Sequence, residues 1–423
     1  MSWTVTEEIQ SLLGKKLERL ESPSLRLEKM LFMQKKQNFK EQQIDAVVKC
    51  HNSHAVFPRL GFADMPSARR FIMQLRGRLL VNHAGGILEN TGLCLHRHFG
   101  CPYIPGTAIK GIARHQAWIE WREALDGTAE KRSAALKLAL VFGFPAGDPV
   151  PKKKGGRDMN RPQDTDFLDH YLVVEFPELF GPGAPKETFG GTVCFLPAFP
   201  VTVNGKRPRL AKDITTCHHS NYYRGKQPAA FDNEQPNVLP FPVVESGVSF
   251  EFALKPGSRA ESVQTHAATE LPQPFDPLAF AEKCLRTGLQ DHGLGAKTAA
   301  GYGWFTEDTA TEQSVEAARR AALQQEEERR RGEAEKRREK DRLEQLSPED
   351  RRAEELGAMD DDDFKGYLWE VETKDDTEKR AVVKAVLKQK KHIWLADRNG
   401  KRKAAKRAEI MKRLAEEFGE QLP

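Results

Sequence analysis

The sequence predicts an α+β fold, because strand-like and helical segments alternate through the middle of the chain. Segments rich in branched or alternating apolar residues, typical of strands, lie at 71–81, 191–195, 201–203, 242–244, 248–254 and 303–306. Apolar residues recur with helical spacing at 107–121, 129–141 and 274–290. Arg76 and Arg78 are expected to share one face of the first strand. Gly247 indicates the turn of a hairpin-like pair.

The size and composition indicate two or three domains in an intracellular setting. The chain has 423 residues and a net charge of only +5, but its 66 Lys and Arg residues make local basic patches more informative than the sum. No apolar stretch is long enough to span a membrane, and the first ten residues do not resemble a secretion signal. The six scattered cysteines predict reduced thiols and a cytoplasmic protein.

Shifts in composition divide the chain into four regions. We expect an N-terminal helical arm at 1–69, a central domain at 70–307, a charged helical linker at 308–358 and a small basic helical module at 359–423. The arm is expected to be helical over 5–49 and either packs on its own domain or is offered to a neighbouring subunit. Its apolar stripe would comprise Leu12, Leu13, Leu17, Leu20, Leu25, Leu27, Met30, Leu31 and Met33.

The linker and the last module differ in charge pattern. Residues 312–345 carry ten acidic and ten basic residues and no aromatic residue, which predicts a solvated single helix or a flexible rod. The last module ends in a basic helix, Lys401–Lys412, whose partner could be RNA, DNA or protein.

A glycine-rich segment at 288–305 is the strongest candidate for a binding loop. Its central residues combine small size with one cation and two hydroxyl groups: Gly293, Gly295, Lys297, Thr298, Gly301, Tyr302 and Gly303. Such a backbone can expose N–H groups to a phosphate chain, with the lysine as a point charge. A Walker loop is excluded because Ala296 precedes Lys297, and a dinucleotide loop because Thr298 replaces the third glycine.

A second candidate phosphate site lies at the start of the helix predicted at 107–121. Thr107 is expected to cap the helix, and Lys110 and Arg114 lie four residues apart on one helical face. The positive end of the helix dipole would add to their attraction for an anion. A solvated basic face is the alternative. A long basic loop at 143–163 is either functional or simply solvated.

Residues 213–227 interleave aromatic rings with cations, a pattern suited to stacking on bases and holding a backbone. The candidate side chains are those of His218, His219, Tyr222 and Arg224. The alternative function is metal-independent RNA cleavage, with His218 and His219 as general acid and base. Adjacent residues rarely both face one phosphate, which favours binding.

The sequence predicts no metal and no cofactor. Cys94, His96, His98 and Cys101 supply soft ligands, but their alternating spacing suits one face of an extended segment at 93–98 better than a tetrahedron. The carboxylates at 164, 166 and 169 lie at a predicted loop–strand junction and match no ligand pattern.

Two motifs together resemble the RAMP superfamily of CRISPR–Cas proteins. YIPGTAIKGIAR at 103–114 is similar to its PG-[ST]-x-x-KG-x-x-R signature, and GLGAKTAAGYGWF at 293–305 to its C-terminal glycine-rich loop. With DFLDHYLVVEFP at 166–177 and DITTCHHSNYY at 213–223, residues 70–307 most resemble the sixth-subunit family of type III-B (Cmr) effector complexes.

The resemblance implies a ferredoxin-like, RRM-like domain with inserted loops and a hairpin, flanked here by the helical arm and a C-terminal helical extension. It implies a subunit that caps the backbone filament near the 3′ end of the guide RNA and contacts guide RNA, target RNA and other Cas subunits. Lys110 and Arg114 would then pair with guide phosphates. The family's cleaving subunit has an aspartate before its first helix, whereas segment 98–106 here contains no carboxylate, which implies a non-catalytic chain. The resemblance does not extend beyond residue 307.

Overall fold

The computed structural model describes the central domain and the C-terminal region almost throughout. The described residues are 2–3, 21–29, 32–33, 38–57, 67–143, 164–180, 191–202, 207–257 and 275–423, with the single residues 6, 9, 11, 65 and 271. They form two compact units, Met1–Ala317 and Ala318–Pro423.

The strands and helices are numbered along the chain. The strands are β1 (Ser2–Trp3), β2 (Phe32–Met33), β3 (Arg69–Leu75), β4 (Val193–Phe195), β5 (Phe199–Pro200), β6 (Leu210–Cys217), β7 (Asn237–Val244), β8 (Ser249–Pro256) and β9 (Phe305–Glu307). The α-helices of the first unit are α1 (Pro23–Glu28), α2 (Phe39–His54), α3 (Gly106–Glu123), α4 (Ala129–Phe142), α5 (Asp164–Glu175), α6 (Pro177–Phe180), α7 (Ser220–Tyr223) and α8 (Pro277–Asp291). Helix α9 (Thr309–Gln345) crosses the unit boundary, and α10 (Pro348–Ala358), α11 (Asp361–Tyr367), α12 (Asp376–Lys388), α13 (Lys391–Arg398) and α14 (Lys403–Glu417) follow.

The first unit is built on an antiparallel sheet with the strand order β4-β8-β3-β9, and β5 also pairs with β8. The central strands are covered on both faces, since Phe71, Ile72 and Met73 in β3 are all buried. The rings of Phe71 and Phe252 stack across β3 and β8 with centroids 5.4 Å apart. Phe305 of β9 meets Phe252 edge-on at 5.7 Å. These contacts fix the register of the central strands.

Helices α3 and α8 pack against each other in antiparallel fashion. Asp276 caps α8 by accepting hydrogen bonds from the N–H groups of Leu278 and Ala279, and Pro277 occupies the first helical turn. Near the other end of α8, a Cβ on Gly288 would lie only 3.0 Å from the carbonyl oxygen of Ile112 in α3. A glycine at this position therefore lets the two helices approach closely.

A separate two-stranded ribbon is formed by β6 and β7, which pair along their whole length from Leu210↔Val244 to Cys217↔Asn237. It is attached to the segment after β3 by the bridge Leu79↔Val244. On its other side, Asn52 of α2 exchanges hydrogen bonds of 3.1 and 3.0 Å with the backbone of Leu210. The ribbon is thus anchored at its base.

The second unit has its own hydrophobic core. The largest buried side chains include Phe364 and Leu368, and α12 contributes Val382 and Val386, all fully buried. Along α9, exposed charges are linked by pairs such as Arg329–Glu326 (2.8 Å) and Arg342–Glu339 (2.7 Å). The predicted solvated helix at 312–345 is confirmed, as are helices near 129–141 and 274–290.

The strand predicted at 71–81 is wrong in its second half. β3 ends at Leu75, so Arg76 and Arg78 do not share a strand face. The N–H of Arg76 instead donates to the Trp304 carbonyl at 2.8 Å, and the chain continues beside the glycine-rich segment. Residues 76–80 therefore contact the glycine-rich segment through their backbone instead of continuing β3.

Three further predictions are corrected. Continuous helix over 5–49 is wrong, because β2 interrupts α1 and α2 and pairs with β1, although Leu27 is buried as expected. Several residues of the predicted stripe lie outside the described residues, as do the loop residues 144–163: Leu12, Leu13, Leu17, Leu20, Met30 and Leu31.

The junction predicted around 164–169 is helix α5, which buries Leu168 and Leu172. Gly247 does occupy a turn with φ +79°, but β7 pairs with β6 and β8 pairs with β3, so no hairpin forms across it.

Among the described residues, none of the helices has the length and apolar character required to cross a membrane.

We predict that Phe364→Ala will lower the free energy of unfolding of the second unit by about 3–5 kcal/mol, because it leaves a cavity in a closed core. Urea denaturation, monitored through the exchange of backbone amide hydrogens in residues 353–415, measures this loss. Trp369→Ala is the matched control, since Trp369 is 42% exposed and its truncation leaves no internal cavity. Equal losses in the two variants would contradict the assignment of Phe364 to the core.

Candidate RNA interface

The glycine-rich loop joins α8 to β9 and lies against the backbone that follows β3. The N–H of Ala296 donates to the Leu80 carbonyl at 2.8 Å, and the N–H of Gly303 donates to the Arg78 carbonyl at 2.7 Å. The N–H of Leu294 closes the loop on the Gly303 carbonyl at 2.8 Å. The loop is therefore held as rigidly as an additional strand.

The glycines are required by this close approach. Gly293, Gly295, Gly301 and Gly303 all have positive φ, between +69° and +97°. A Cβ on Gly303 would clash with the Leu294 carbonyl, whereas a Cβ on Gly301 would meet nothing within 4 Å. The two positions thus share a left-handed backbone and differ in the space around them.

Lys297 also has a left-handed backbone, with φ +61°, and directs its side chain toward the ribbon. Its Nζ donates to the Thr215 hydroxyl at 2.6 Å and lies 5.2 Å from the centroid of the Phe241 ring. Lys297 as a whole is half-buried. The structure thereby brings together the glycine-rich loop and the β6–β7 ribbon, which the sequence treats as separate candidates.

Asp213 connects the same elements through a second set of contacts. Its carboxylate accepts hydrogen bonds from the Arg78 guanidinium and the Tyr302 hydroxyl, and the Ile214 N–H donates to it at 2.8 Å. Burial by itself raises the pKa of Asp213, but the hydrogen bonds from Tyr302, Arg78 and Ile214 together hold it below its usual value. Burial and the hydrogen bond to Asp213 raise the pKa of Tyr302. The Tyr302 hydroxyl therefore helps to hold Asp213 in place by donating a hydrogen bond to its carboxylate.

Lys110 and Arg114 lie four residues apart in the first half of α3, on the side of the helix away from Ile112. Lys110 is close enough to Cys194 of β4 to interact with it electrostatically, so the structure does not bring these two cations together with the glycine-rich loop. Ile112, between them, contacts Gly288, and the Nε2 of His292, which ends α8, lies 2.8 Å from the Gln116 side-chain oxygen. Burial lowers the pKa of Lys110, and the neighbouring charge of Arg114 lowers it further. Two like charges are thus held close together on a half-buried surface, an arrangement that an anion would relieve.

Thr107 does not cap α3, which corrects the sequence-based expectation. The helix begins at Gly106 with Pro105 at the N-cap position, and no side chain caps it. Thr107 is exposed in the first turn. The helix starts one residue early because the N–H groups of Ala108 and Ile109 donate to the Pro105 carbonyl at 3.0 and 3.1 Å. Residue 106 is a glycine because a Cβ there would clash with the Phe195 carbonyl of β4.

His218, His219, Tyr222 and Arg224 lie at the distal end of the ribbon, beyond Cys217. The histidine rings are 6.4 Å apart, and Nδ1 of His219 is buried without a hydrogen-bond partner among the described residues. Tyr222 is 44% exposed and Arg224 is also exposed. The segment at 213–227 therefore begins as the end of strand β6, up to Cys217, and continues into the short helix α7.

The cysteine and histidine cluster does not assemble into a metal site. The ring of His96 stacks on Phe99 at 4.5 Å, and its Nδ1 lies 3.3 Å from the His98 N–H. Burial raises the pKa of Cys94 to about 11 and that of Cys101 to about 12, so both thiols stay protonated near neutral pH. In the part of the chain that the structure describes, there is no group of three or more side chains suited to holding a metal ion.

An antiparallel sheet carrying two packed helices, with a glycine-rich loop fixed between the second helix and the last strand, defines the class of this protein. Residues 73–306 match the model of the RAMP superfamily, and the chain belongs to that superfamily.

Known proteins similar to this chain include a Cmr subunit. The CRISPR system Cmr subunit Cmr6 of Pyrococcus furiosus is 28% identical over 245 residues, which cover 55% of this chain and 66% of that protein. The chain thus spans just under two thirds of the length of this curated relative.

Two solved structures were also matched. The crystal structure of Cmr6 from Pyrococcus furiosus matches 57% of this chain and 98% of its own, with 24% identity and a TM-score of 0.29. A cryo-EM structure of the type III-B Cmr-beta complex bound to cognate target RNA contains a chain matched over 71% of this one and 88% of its own, with 16% identity and a TM-score of 0.35.

We predict that Gly303→Ala will destabilise the first unit more than Gly301→Ala. The left-handed backbone alone costs Gly301→Ala about 1–2 kcal/mol, whereas Gly303→Ala must also displace the Leu294 carbonyl. Thermal unfolding followed by circular dichroism measures both. An equal decrease in Tm would show that the loop does not lie as closely on itself as described.

A second prediction concerns pH. Because the folded-state pKa of Asp213 lies below its ordinary value, its stabilisation is complete above the unfolded-state pKa of about 4 and is lost as pH falls through the folded-state pKa. Asp213→Asn should therefore remove part of the decrease in Tm that the parent shows between about pH 5 and about pH 3. The exposed Asp232→Asn serves as control, and an identical pH profile for all three proteins would refute the coupling.

Proposed function

We propose that this chain is a non-catalytic, RNA-binding structural subunit of a type III CRISPR RNA-guided effector complex. The observation that carries the proposal is the RAMP match over 73–306, which includes both the basic start of α3 and the glycine-rich loop. The similarity to a Cmr subunit named Cmr6 supports the type III-B assignment. Its place would be the end of the backbone filament, as a cap near the 3′ end of the guide RNA.

The topology supports a ferredoxin-like, RRM-like domain. The elements β3, α3, β4, β8, α8 and β9 follow the order βαββαβ, and the sheet order β4-β8-β3-β9 is 2-3-1-4 in that count. All of the strand pairs in this sheet are antiparallel. The β6–β7 ribbon would be an insertion between the second and third strands, the helices at 23–54 an N-terminal arm, and the region after 307 an extension.

The loop offers backbone donors as well as charge. Seven of its N–H groups are used within the protein: those of Gly293, Leu294, Ala296, Ala300, Gly301, Tyr302 and Gly303. Within the described residues, the N–H groups of Gly295, Lys297, Thr298 and Ala299 make no such hydrogen bond. These four N–H groups belong to Lys297 or to residues within two positions of it, so we propose that a phosphate on this part of the loop would accept hydrogen bonds from them and be attracted by the lysine charge.

The ribbon end would extend the contact along the RNA. Tyr222 and Arg224 offer an exposed ring and an exposed guanidinium for stacking and backbone contact. The ribbon carries Thr215, the partner of Lys297, and His218 lies three residues further, about 10 Å along an extended chain. The partners we propose are guide RNA, target RNA and other Cas subunits.

Absence of catalysis is part of the proposal. Segment 98–106, which precedes α3, contains no carboxylate to act on an RNA backbone. A histidine acid–base pair needs both rings open to one phosphate, whereas His219 has a buried Nδ1. These features favour binding over cleavage at the ribbon.

We predict that replacing Lys110, Arg114 and Lys297 by alanine will weaken guide RNA binding and make it less sensitive to salt. Losing three phosphate contacts to a single strand should reduce the slope of log K against log salt by about 2. Fluorescence anisotropy with labelled guide RNA, over a series of salt concentrations, measures the slope.

The control removes the same charge elsewhere. Lys336, Arg337 and Arg338 are exposed on α9, and their triple alanine variant has the same net charge as the site variant. Circular dichroism verifies folding of both. If the site variant and the control retain the slope of the parent, the assignment of these three side chains to the RNA interface is wrong.

A further inference from the structure

The excess positive charge of the second unit is concentrated in one stretch. Residues 388–413 contain eleven Lys or Arg residues and only two acidic residues, Asp397 and Glu409. Elsewhere in the unit the charges are largely matched, as where Lys384 contacts Asp350 at 2.9 Å. The shortage of acidic partners therefore distinguishes residues 388–413 from the charged helix α9, in which acidic and basic residues are balanced.

Part of the stretch is neutralised within the fold. Lys390 pairs with Asp361 at 2.7 Å, and Asp361 also lies 2.6 Å from the His392 ring. The neighbouring Asp362 pairs with Lys365 at 2.9 Å. Two of the four carboxylates at 360–363 thus have basic partners within the unit.

A cluster of cations is left over at the turn between α13 and α14. Its members are exposed and form no ion pair within the described residues: Lys391, Lys401, Arg402, Lys403 and Lys406. Glu409 lies one helical turn beyond Lys406 but makes no ion pair with it. Lys403 and Lys406 are three residues apart on α14, so their Cβ atoms lie about 5–6 Å from each other.

The turn that carries these cations is rigidly held. The guanidinium of Arg407 in α14 donates two hydrogen bonds, of 2.8 and 2.6 Å, to Asp397 of α13, which is only 4% exposed. The N–H of Gly400 donates to the Asp397 carbonyl at 3.0 Å. The cations therefore lie on a fixed framework. The carboxylate of Asp397, at the end of α13, accepts both hydrogen bonds from Arg407.

We propose that this turn, residues 399–406, with Lys391 beside it, is a second nucleic-acid-binding site that takes a sugar–phosphate backbone. A row of unpaired cations on a rigid turn matches the regular negative charge of a phosphate chain. Between Lys401 and Lys406 the only uncharged side chains are alanines, so the turn lacks the large apolar anchor on which protein interfaces depend. The site lies outside the RAMP match at 73–306 and does not depend on the function proposed above.

The test compares the full-length chain with its K401A/K403A/K406A variant. Arg402 is kept, because its positive φ of +52° would confound a substitution with a change in backbone. Binding of a short single-stranded RNA, a duplex RNA and a duplex DNA is measured by anisotropy over a series of salt concentrations. The slope of log K against log salt should decrease by about 2 for the single strand, or by about 3 for the duplex that the site prefers.

The K336A/R337A/R338A variant is again the control of equal charge, and it should keep the slope of the parent. The slope should also decrease when K401A/K403A/K406A is added to the variant in which Lys110, Arg114 and Lys297 are alanine, because independent sites contribute additively. An unchanged slope with all three probes overturns the proposal. If that result accompanies loss of the K401A/K403A/K406A chain from the assembled complex, the turn binds an acidic protein surface instead.

Discussion

The close backbone contact between the glycine-rich loop and residues 77–80 is the constraint on which the first unit depends. Gly77 faces the Gly301 carbonyl so closely that no Cβ fits, and Gly295 faces the Leu80 carbonyl in the same way. Because Leu79 also bridges to Val244, this one segment holds the loop on one side and the ribbon on the other. The position of Lys297 over Thr215 is a consequence of that contact.

Among the described residues, the charges around this contact leave Lys297 without a carboxylate partner. Asp213 accepts from Arg78 and Tyr302 and neutralises the guanidinium, whereas Lys297 has a hydroxyl and an aromatic face as its partners. On α3, burial and the Arg114 charge already lower the pKa of Lys110. A bound phosphate would oppose that effect, because a nearby negative charge raises the pKa of an amine.

Sequence patterns were sufficient where one local rule decided the structure. The helical spacing at 274–290 and the charge pattern at 312–345 predicted α8 and α9 closely. Patterns failed where contacts that the pattern does not show decided the structure. After Leu75 the backbone contacts Trp304 and the glycine-rich loop, and α3 starts on hydrogen bonds to the Pro105 carbonyl. The Lys297–Thr215 contact joins residues 82 positions apart, so no spacing rule could have found it.

The second unit shows why a count of charges does not identify a binding surface. Residues 312–345 hold ten basic residues, but their acidic neighbours lie at helical spacing, as where Arg329 and Arg330 share Glu326. The cluster at 399–406 has fewer cations, yet Asp397, which precedes it, is buried against Arg407. Since exposed pairs cancel much of each other's field, the unpaired cluster dominates the attraction for a polyanion. What matters for recognition is therefore which cations the fold leaves without a carboxylate, and that follows from helix packing.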